Sequence, residues 1–459
     1  MSERWSIAFY GGVETVTGAN FLLSPAAGRM KPRLLIDCGL FQGGERAHAA
    51  NRQPFPYEPV SVDALLVTHA HADHIGRIPK LVKDGFRGVI YSTPETKQLA
   101  EVMLLDTAEI IFQAAKEEGG PPLYDKDDVR RALSLWRSAD YHGAFEPVPG
   151  IRALIRDAGH ILGSAMFELS VTGRKAVFTG DLGNSPSPLL PDTEALPGTN
   201  YLVMESVYGD RNHEPPGHRR EKLALAVRDA AARRGVLVIP AFSLERSQVL
   251  LHELNGLIES GDVPSVPVFL DSPLAIKVTG VYAAASHRFK PDVQKEISSG
   301  DNIFRFPKLQ LTVRPRDSAA IDAAPAPKII IAGGGMSEGG RVVSHERKYL
   351  PERRNIILLT GYQAPGTLGR LLAEGERSVV IDGERLPVRA EVRKIYGFSS
   401  HKDSDHLVSF VEAAAGTLEG VYLVMGEQKS SGFLAQRLRD YLGVRAFCPR
   451  QGERVFIDL

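Results

Sequence analysis

The stretch Ala64-Leu65-Leu66-Val67-Thr68-His69-Ala70-His71-Ala72-Asp73-His74 joins a short apolar run directly to a cluster of metal-binding side chains. A run of this kind reads as a buried strand, and side chains two apart on an extended chain point to one side. His69 and His71 therefore share a face at the end of a strand predicted over 64–68. Asp73 and His74 follow where the chain turns into a helix predicted over 75–83. Imidazole nitrogens with a carboxylate oxygen are the ligand set of a hydrolytic Zn²⁺ site, whose open position holds a water with its pKa lowered towards 7. The bland alternative is a polar, His-rich loop, but from His and Asp usage alone the pattern should arise only about once in a million positions.

One loop cannot close a two-metal site, so further ligands must come from later strand ends. Gly159-His160-Ile161-Leu162-Gly163-Ser164 places a histidine just before a predicted strand, and Thr179-Gly180-Asp181-Leu182-Gly183 places an aspartate just after one. Around these motifs, β-rich runs at 5–10, 20–24, 33–37, 64–68 and 88–92 are followed by helices over 95–118 and 127–137, then by strands over 150–156, 164–172 and 174–179. Beyond Tyr208 the texture changes to helix and buried strand in alternation: 219–234, 236–239, 247–260, 266–270, 328–332 and 355–360. That is the signature of a parallel α/β unit. The Ala/Pro-rich piece 318–327 reads as a connecting loop.

The chain has 459 residues, enough for two or three domains, and 43% of them are hydrophobic, enough for sizeable cores. Lys+Arg and Asp+Glu both number 55, so no global field draws the chain to nucleic acid or to an anionic membrane; such a partner must be held by a local patch. Two cysteines, Cys38 and Cys448, cannot build a disulfide framework, and Met1-Ser2-Glu3-Arg4-Trp5 lacks the apolar core of a signal peptide. No apolar run approaches the length that spans a bilayer. The expectation is a cytoplasmic protein with no membrane partner.

In chain order, Asp37 in Ile36-Asp37-Cys38-Gly39, the His69 to His74 cluster, His160 and Asp181 resemble the four signature motifs of the metallo-β-lactamase superfamily. Glu205 in Met204-Glu205-Ser206 and His401 in Gly397-Phe398-Ser399-Ser400-His401 resemble extra motifs of its β-CASP nuclease branch. The resemblance implies an α/β protein: an αββα sandwich over 1–209 and 386–459, interrupted by an α/β β-CASP domain over 210–385. It implies that His69, His71 and His160 bind one zinc, that Asp73 and His74 bind a second, that Asp181 bridges them and that Asp37 supports them from behind. Paired zincs would activate water against phosphorus, with Asp73 orienting and deprotonating it. His401, held by Glu205, would protonate the leaving 3′-oxygen. The third extra motif of the branch carries a histidine where this chain has Met425, before Gly426-Glu427. A thioether is a poor Zn²⁺ ligand, so the second site should bind more weakly, with Glu427 or water filling the place and Mn²⁺ as an alternative occupant.

The substrate implied is single-stranded RNA, cut endonucleolytically or from the 5′ end, and the resemblance is compatible with a homodimer. The run Gly333-Gly334-Gly335-Met336-Ser337-Glu338-Gly339-Gly340-Arg341 follows a buried strand, where backbone N–H groups can cradle phosphates. Gly334, Gly335, Ser337, Arg246 and Ser400 are the candidate substrate contacts, and Arg341, Arg347, Lys348, Arg353 and Arg354 supply local positive charge. Three alternatives stand beside this reading. Met425 also suits a DNA nuclease of the same branch or a weakly active RNA-binding homologue. Small-molecule hydrolysis shares the first four motifs, but a large inserted domain suits a threaded polymer better.

Overall fold

The computed structural model describes residues 4–26, 32–196, 198–364 and 366–459, and the chain divides into two compact units: residues 1–212 with 401–459, and residues 213–400. The first unit holds two seven-stranded sheets. In one, the spatial order is Arg454–Asp458, Arg4–Gly11, Asn20–Pro25, Leu34–Ile36, Ala64–Leu66, Val89–Ser92 and Trp136–Ser138. Its first pairings are antiparallel, and from Leu34–Ile36 onward they are parallel. The other runs Ala446–Phe447, Gly420–Val424, Tyr201–Glu205, Arg174–Phe178, Ala165–Val171, Ile151–Asp157 and Ala144–Val148.

Period-two alternation turns one face of each sheet inward. Ile7, Phe9, Phe21, Leu23, Ile36 and Leu66 meet Ile155, Phe167, Leu169, Phe178 and Val203 in a shared core. The opposite face of the second sheet, with Met166, Val177, Leu202 and Leu423, is covered by Leu407 and Val411 of helix Ser404–Glu412 and by Leu434 and Leu438 of helix Gln428–Leu442. Helices Ile78–Lys83, Pro94–Glu118 and Lys126–Ser134 belong to the first sheet's half, with Ile78, Leu81, Leu99, Leu104 and Val129 buried. The result is the expected αββα sandwich.

Two expected helices differ in extent. The one over 75–83 is two pieces, Ala72–Ile75 and Ile78–Lys83, because the Arg77 N–H leaves the helical ladder to bond the Cys38 carbonyl at 2.9 Å and Pro79 has no N–H to give. The one over 127–137 stops at Ser134. Trp136 is buried instead at the start of an edge strand, its indole N–H donating to Ser92 Oγ at 2.9 Å, so tertiary burial overrides helical periodicity there.

The second unit is built on six parallel strands in the order Leu309–Leu311, Val268–Asp271, Lys328–Gly333, Val236–Ala241, Ile356–Leu359 and Glu391–Lys394. Glu391–Lys394 pairs with Ile356–Leu359, so the stretch 386–400, which the sequence reading assigns to the last domain, lies in this unit. The segment 318–327 is not all loop. Its first residues belong to helix Pro315–Ile321, started by Pro315 and by the Asp317 carboxylate accepting the Arg314 N–H at 3.1 Å. Among the described residues, no helix is long and apolar enough to cross a membrane.

Candidate metal centre

The tips that follow Leu34–Ile36, Ala64–Leu66, Ile151–Asp157, Arg174–Phe178 and Tyr201–Glu205 carry the candidate ligands. Asp37 adopts a left-handed φ of 57° and is fully buried. Its carboxylate accepts the Thr68 N–H and hydroxyl, both at 2.8 Å, and lies 2.8 Å from His74 Nδ1. Thr68 Oγ1 is also 3.0 Å from His69 Nδ1. Since the Thr68 proton goes to Asp37, the hydroxyl accepts from His69 Nδ1–H, which leaves His69 Nε2 with its lone pair facing the cluster. His74 is set the same way by Asp37. Asp37 and Thr68 together fix both imidazoles, and Thr68 is a contributor that sequence reasoning missed, because a strand-end threonine has no distinguishing pattern.

His69, His71, His160 and Asp181 each offer a ligand atom, and these atoms all lie within 4.8 Å of one another. His69 Nε2 is 3.0 Å from His71 Nδ1 and 3.4 Å from Asp181 Oδ2; His160 Nε2 is 3.3 Å from His71 Nδ1 and 3.6 Å from Asp181 Oδ2. Tetrahedral ligands at the bond lengths of Zn²⁺ stand roughly 3.3–3.6 Å apart, so the four donors fit one ion. Burial and mutual proximity lower the pKa of His69, His71 and His160, while His74 and His69 outweigh burial and hold Asp181 well below the carboxylate range. Neutral imidazole and ionised carboxylate are the states that bind metal.

Beside this group, His74 Nε2 and Asp181 Oδ1 are buried, 3.4 Å apart, and neither has a hydrogen-bond partner among the described residues. Asp73 Oδ2 stands 3.9 Å from His74 Nε2. Burial pulls the His74 pKa down, yet Asp181 and Asp37 more than reverse it: the pocket calls for positive charge at these orphaned atoms. They could hold a second cation, and Asp73 and His74 join neither of the two tight donor groups found among the described residues. The other tight group is Asp181, Glu205 and His401. A bridge between Gly183 and His401, with the Lys402 N–H donating to the Leu182 carbonyl at 2.9 Å, brings His401 to the Asp181 turn. Its Nδ1 is 3.1 Å from Glu205 Oε1 and 4.0 Å from Asp181 Oδ2. Burial lowers the His401 pKa, but Glu205 and then Asp181 and Asp73 reverse this and raise it to about 9.

Met425 lies at the end of strand Gly420–Val424 with φ 48° and is 1% exposed. Its side chain belongs to the core between the sheets, and Sδ sits 2.6 Å from where a Cβ on Gly12 would stand. It is thus a packing residue of that core. Glu427, the suggested replacement, is exposed.

The remaining substrate candidates lie in the second unit, Ser400 as its last residue. Arg246 is buried at the start of helix Arg246–Glu259, its guanidinium against Gly361. Ser337 donates to buried Glu346 at 2.5 Å, and the Gly335 carbonyl accepts from Gln363 at 3.0 Å, so the Gly-rich loop is held from beneath. The positive patch expected nearby is largely neutralised. Arg341 bonds the fully buried Asp271 at 2.6 Å, Arg347 pairs with Glu384, Lys348 with Asp322 and Arg354 with Glu352.

Residues 28–241 match the metallo-beta-lactamase superfamily, 247–372 the Beta-Casp domain and 385–449 the Zn-dependent metallo-hydrolase RNA specificity domain. A ribonuclease of Thermus thermophilus is 35% identical over 92% of this chain and 93% of its own length. A transcription termination factor of Methanosarcina mazei is 32% identical over 94% of the chain and 69% of its own length. An RNase J-like protein of Methanocaldococcus jannaschii is 31% identical over 92% and 93%. A crystal structure of a protein of unknown function from Enterococcus faecalis superposes with a TM-score of 0.57 over 99% of this chain and all of that one, at 13% identity, and so speaks to the fold alone. The chain belongs to the β-CASP branch of the metallo-β-lactamase superfamily, the metal-dependent nuclease hydrolases.

Proposed function

We propose that this protein is a metal-dependent ribonuclease that hydrolyses the phosphodiester bonds of single-stranded RNA and leaves 5′-phosphate and 3′-hydroxyl ends. The observation that carries the reading is the cluster of buried His69, His160 and Asp181 with half-buried His71, and the His401–Glu205 pair at its margin. RNA as the ester is supported by the RNA specificity match over 385–449 and by relatives named as a ribonuclease and as RNase J-like. Zn²⁺ suits three imidazoles and a carboxylate, with Mn²⁺ as a substitute.

When bound, divalent cations supply positive charge that acidifies water and offsets the charge gathering on the phosphoryl oxygens. The side chains do the rest. Asp73, whose side chain keeps 17% of its surface open, accepts the proton of the attacking water. His401, kept protonated by Glu205, gives its proton to the departing 3′-oxygen, and Glu205 fixes the ring by holding Nδ1.

End-labelled RNA tests this directly. Cleavage should require divalent metal, yield 3′-hydroxyl termini and vanish in Asp73→Ala. A 2′,3′-cyclic phosphate product, or turnover of nitrocefin or a thioester in place of RNA, would refute it.

A further inference from the structure

The second unit carries an exposed aromatic ring that none of the proposed chemistry uses. Phe242 follows strand Val236–Ala241, whose last residue pairs with Gly333, so the two strand exits lie side by side. A Cβ built on Gly335 would meet three consecutive carbons of the Phe242 ring at 2.7–2.8 Å. Near-equal distances to three adjacent ring atoms place Gly335 under the face of the ring, not at its edge. Only glycine permits that approach. The residue is nevertheless 41% exposed, and with one face covered by the loop the open surface belongs to the other face and the rim.

Both layers of the platform are tied down by hydrogen bonds. The Phe242 carbonyl accepts from Ser247 N at 3.2 Å and Ser247 Oγ at 2.8 Å, and Gln363 holds the Gly335 carbonyl at 3.0 Å. The platform lies one strand away from the place where an open parallel sheet binds ligands, since Val236–Ala241 flanks Lys328–Gly333 on the side opposite Val268–Asp271. The chain leaves Val268–Asp271 for Leu309–Leu311 on one side and leaves Lys328–Gly333 for Ile356–Leu359 on the other, so a crevice opens at the carboxyl ends of those two neighbours. Ser272 and Ser243, 3.1 Å apart at Oγ, border it beside Gly333.

We infer that Phe242 is a stacking platform for a nucleobase of the single-stranded substrate, seated on Gly335 beside backbone and serine groups suited to the adjoining phosphate. This rests on the RNA reading above. A phenyl ring has no hydrogen-bonding groups, so it accepts any base, and stacking on an aromatic side chain is worth enough to change affinity roughly 5- to 150-fold.

The test compares wild type, Phe242→Leu and Phe242→Trp for binding to a short single-stranded RNA carrying 2-aminopurine, and to the same RNA with abasic positions. Wild type and Phe242→Trp should bind the intact RNA and quench its fluorescence. Phe242→Leu should bind about 10-fold or more weakly without quenching, and on abasic RNA the three proteins should be equal. If wild type binds the intact RNA and Phe242→Leu binds and quenches equally well, stacking is overturned while the RNA reading stands. If wild type binds no RNA, both fall.

Discussion

Met425 offers the sharpest test of how the metal centre is supported. Regarded only as a missing ligand, it could be cut back to alanine at little cost. The structure says otherwise: the side chain is 1% exposed, its sulfur abuts Gly12, and its N–H donates to the Gly12 carbonyl at 2.6 Å. Gly12 in turn lies against Ala19, whose N–H holds the Asp73 carbonyl at 2.9 Å. Removing a buried methionine side chain costs about 2–5 kcal/mol, and the cavity would open two residues from the backbone that carries Asp73. Met425→Ala should therefore lower the urea midpoint and also loosen the weaker metal. In wild type, the four-donor group should keep its ion at chelator concentrations that strip the pocket of Asp73, His74 and Asp181. Loss of a supporting group alone weakens metal sites about 10- to 100-fold, so the two release steps should be separated by at least that. Met425→His, tolerated at positive φ better than most residues, should narrow the gap if its imidazole reaches the pocket. The assay is metal content by mass spectrometry across a chelator titration, run beside urea unfolding. Two ions released together from wild type, or a Met425→Ala protein with unchanged stability, would refute the reasoning.

His401→Ala should retain metal and RNA yet slow cleavage about 10²- to 10⁴-fold, and an unchanged single-turnover rate would remove it from the mechanism. Burial raises the pKa of Glu346 to about 7, against the smaller opposite pull of its bond from Ser337. The stability that a neutral Glu346 confers is fully present below about pH 4.5 and is lost as pH rises through about 7, up to about 3 kcal/mol. Glu346→Gln should accordingly match wild type in acid and exceed it above about pH 8 in urea unfolding; parallel curves at all pH values would show that Glu346 does not titrate there.

The ligand cluster was legible because its signal is local: His69 and His71 are fixed by strand alternation, and His160 and Asp181 announce themselves by standing in glycine turns at strand ends. What assembles them is long-range and has no local mark. Thr68 looks like any strand-terminal threonine, yet it sets the tautomer of His69. Trp136 sits in a helical pattern and is drawn into a sheet by its indole bond to Ser92. The cationic run from Arg341 to Arg354 looked like a substrate patch because its carboxylate partners come from elsewhere in the chain, Asp271, Asp322 and Glu384 among them. Met425 could be compared with a ligand position in sequence, but only packing shows where its sulfur goes. Phe242 is the converse case, since an apolar residue after a buried strand is expected to be core.

Both sheets of the first unit borrow strands at one edge from the far end of the chain: Arg454–Asp458 pairs with Arg4–Gly11, and Gly420–Val424, itself flanked by Ala446–Phe447, pairs with Tyr201–Glu205. During synthesis, residues 1–212 must therefore wait with unpaired sheet edges while the contiguous stretch 213–400, a compact unit of its own, emerges. At ribosomal speeds of about 5–20 residues per second, that wait lasts on the order of ten to forty seconds. Exposed edges are templates for misassociation, and these stay open for that interval. His401 and its neighbours arrive only after it, so the contact between His401 and Glu205 is among the late ones to form.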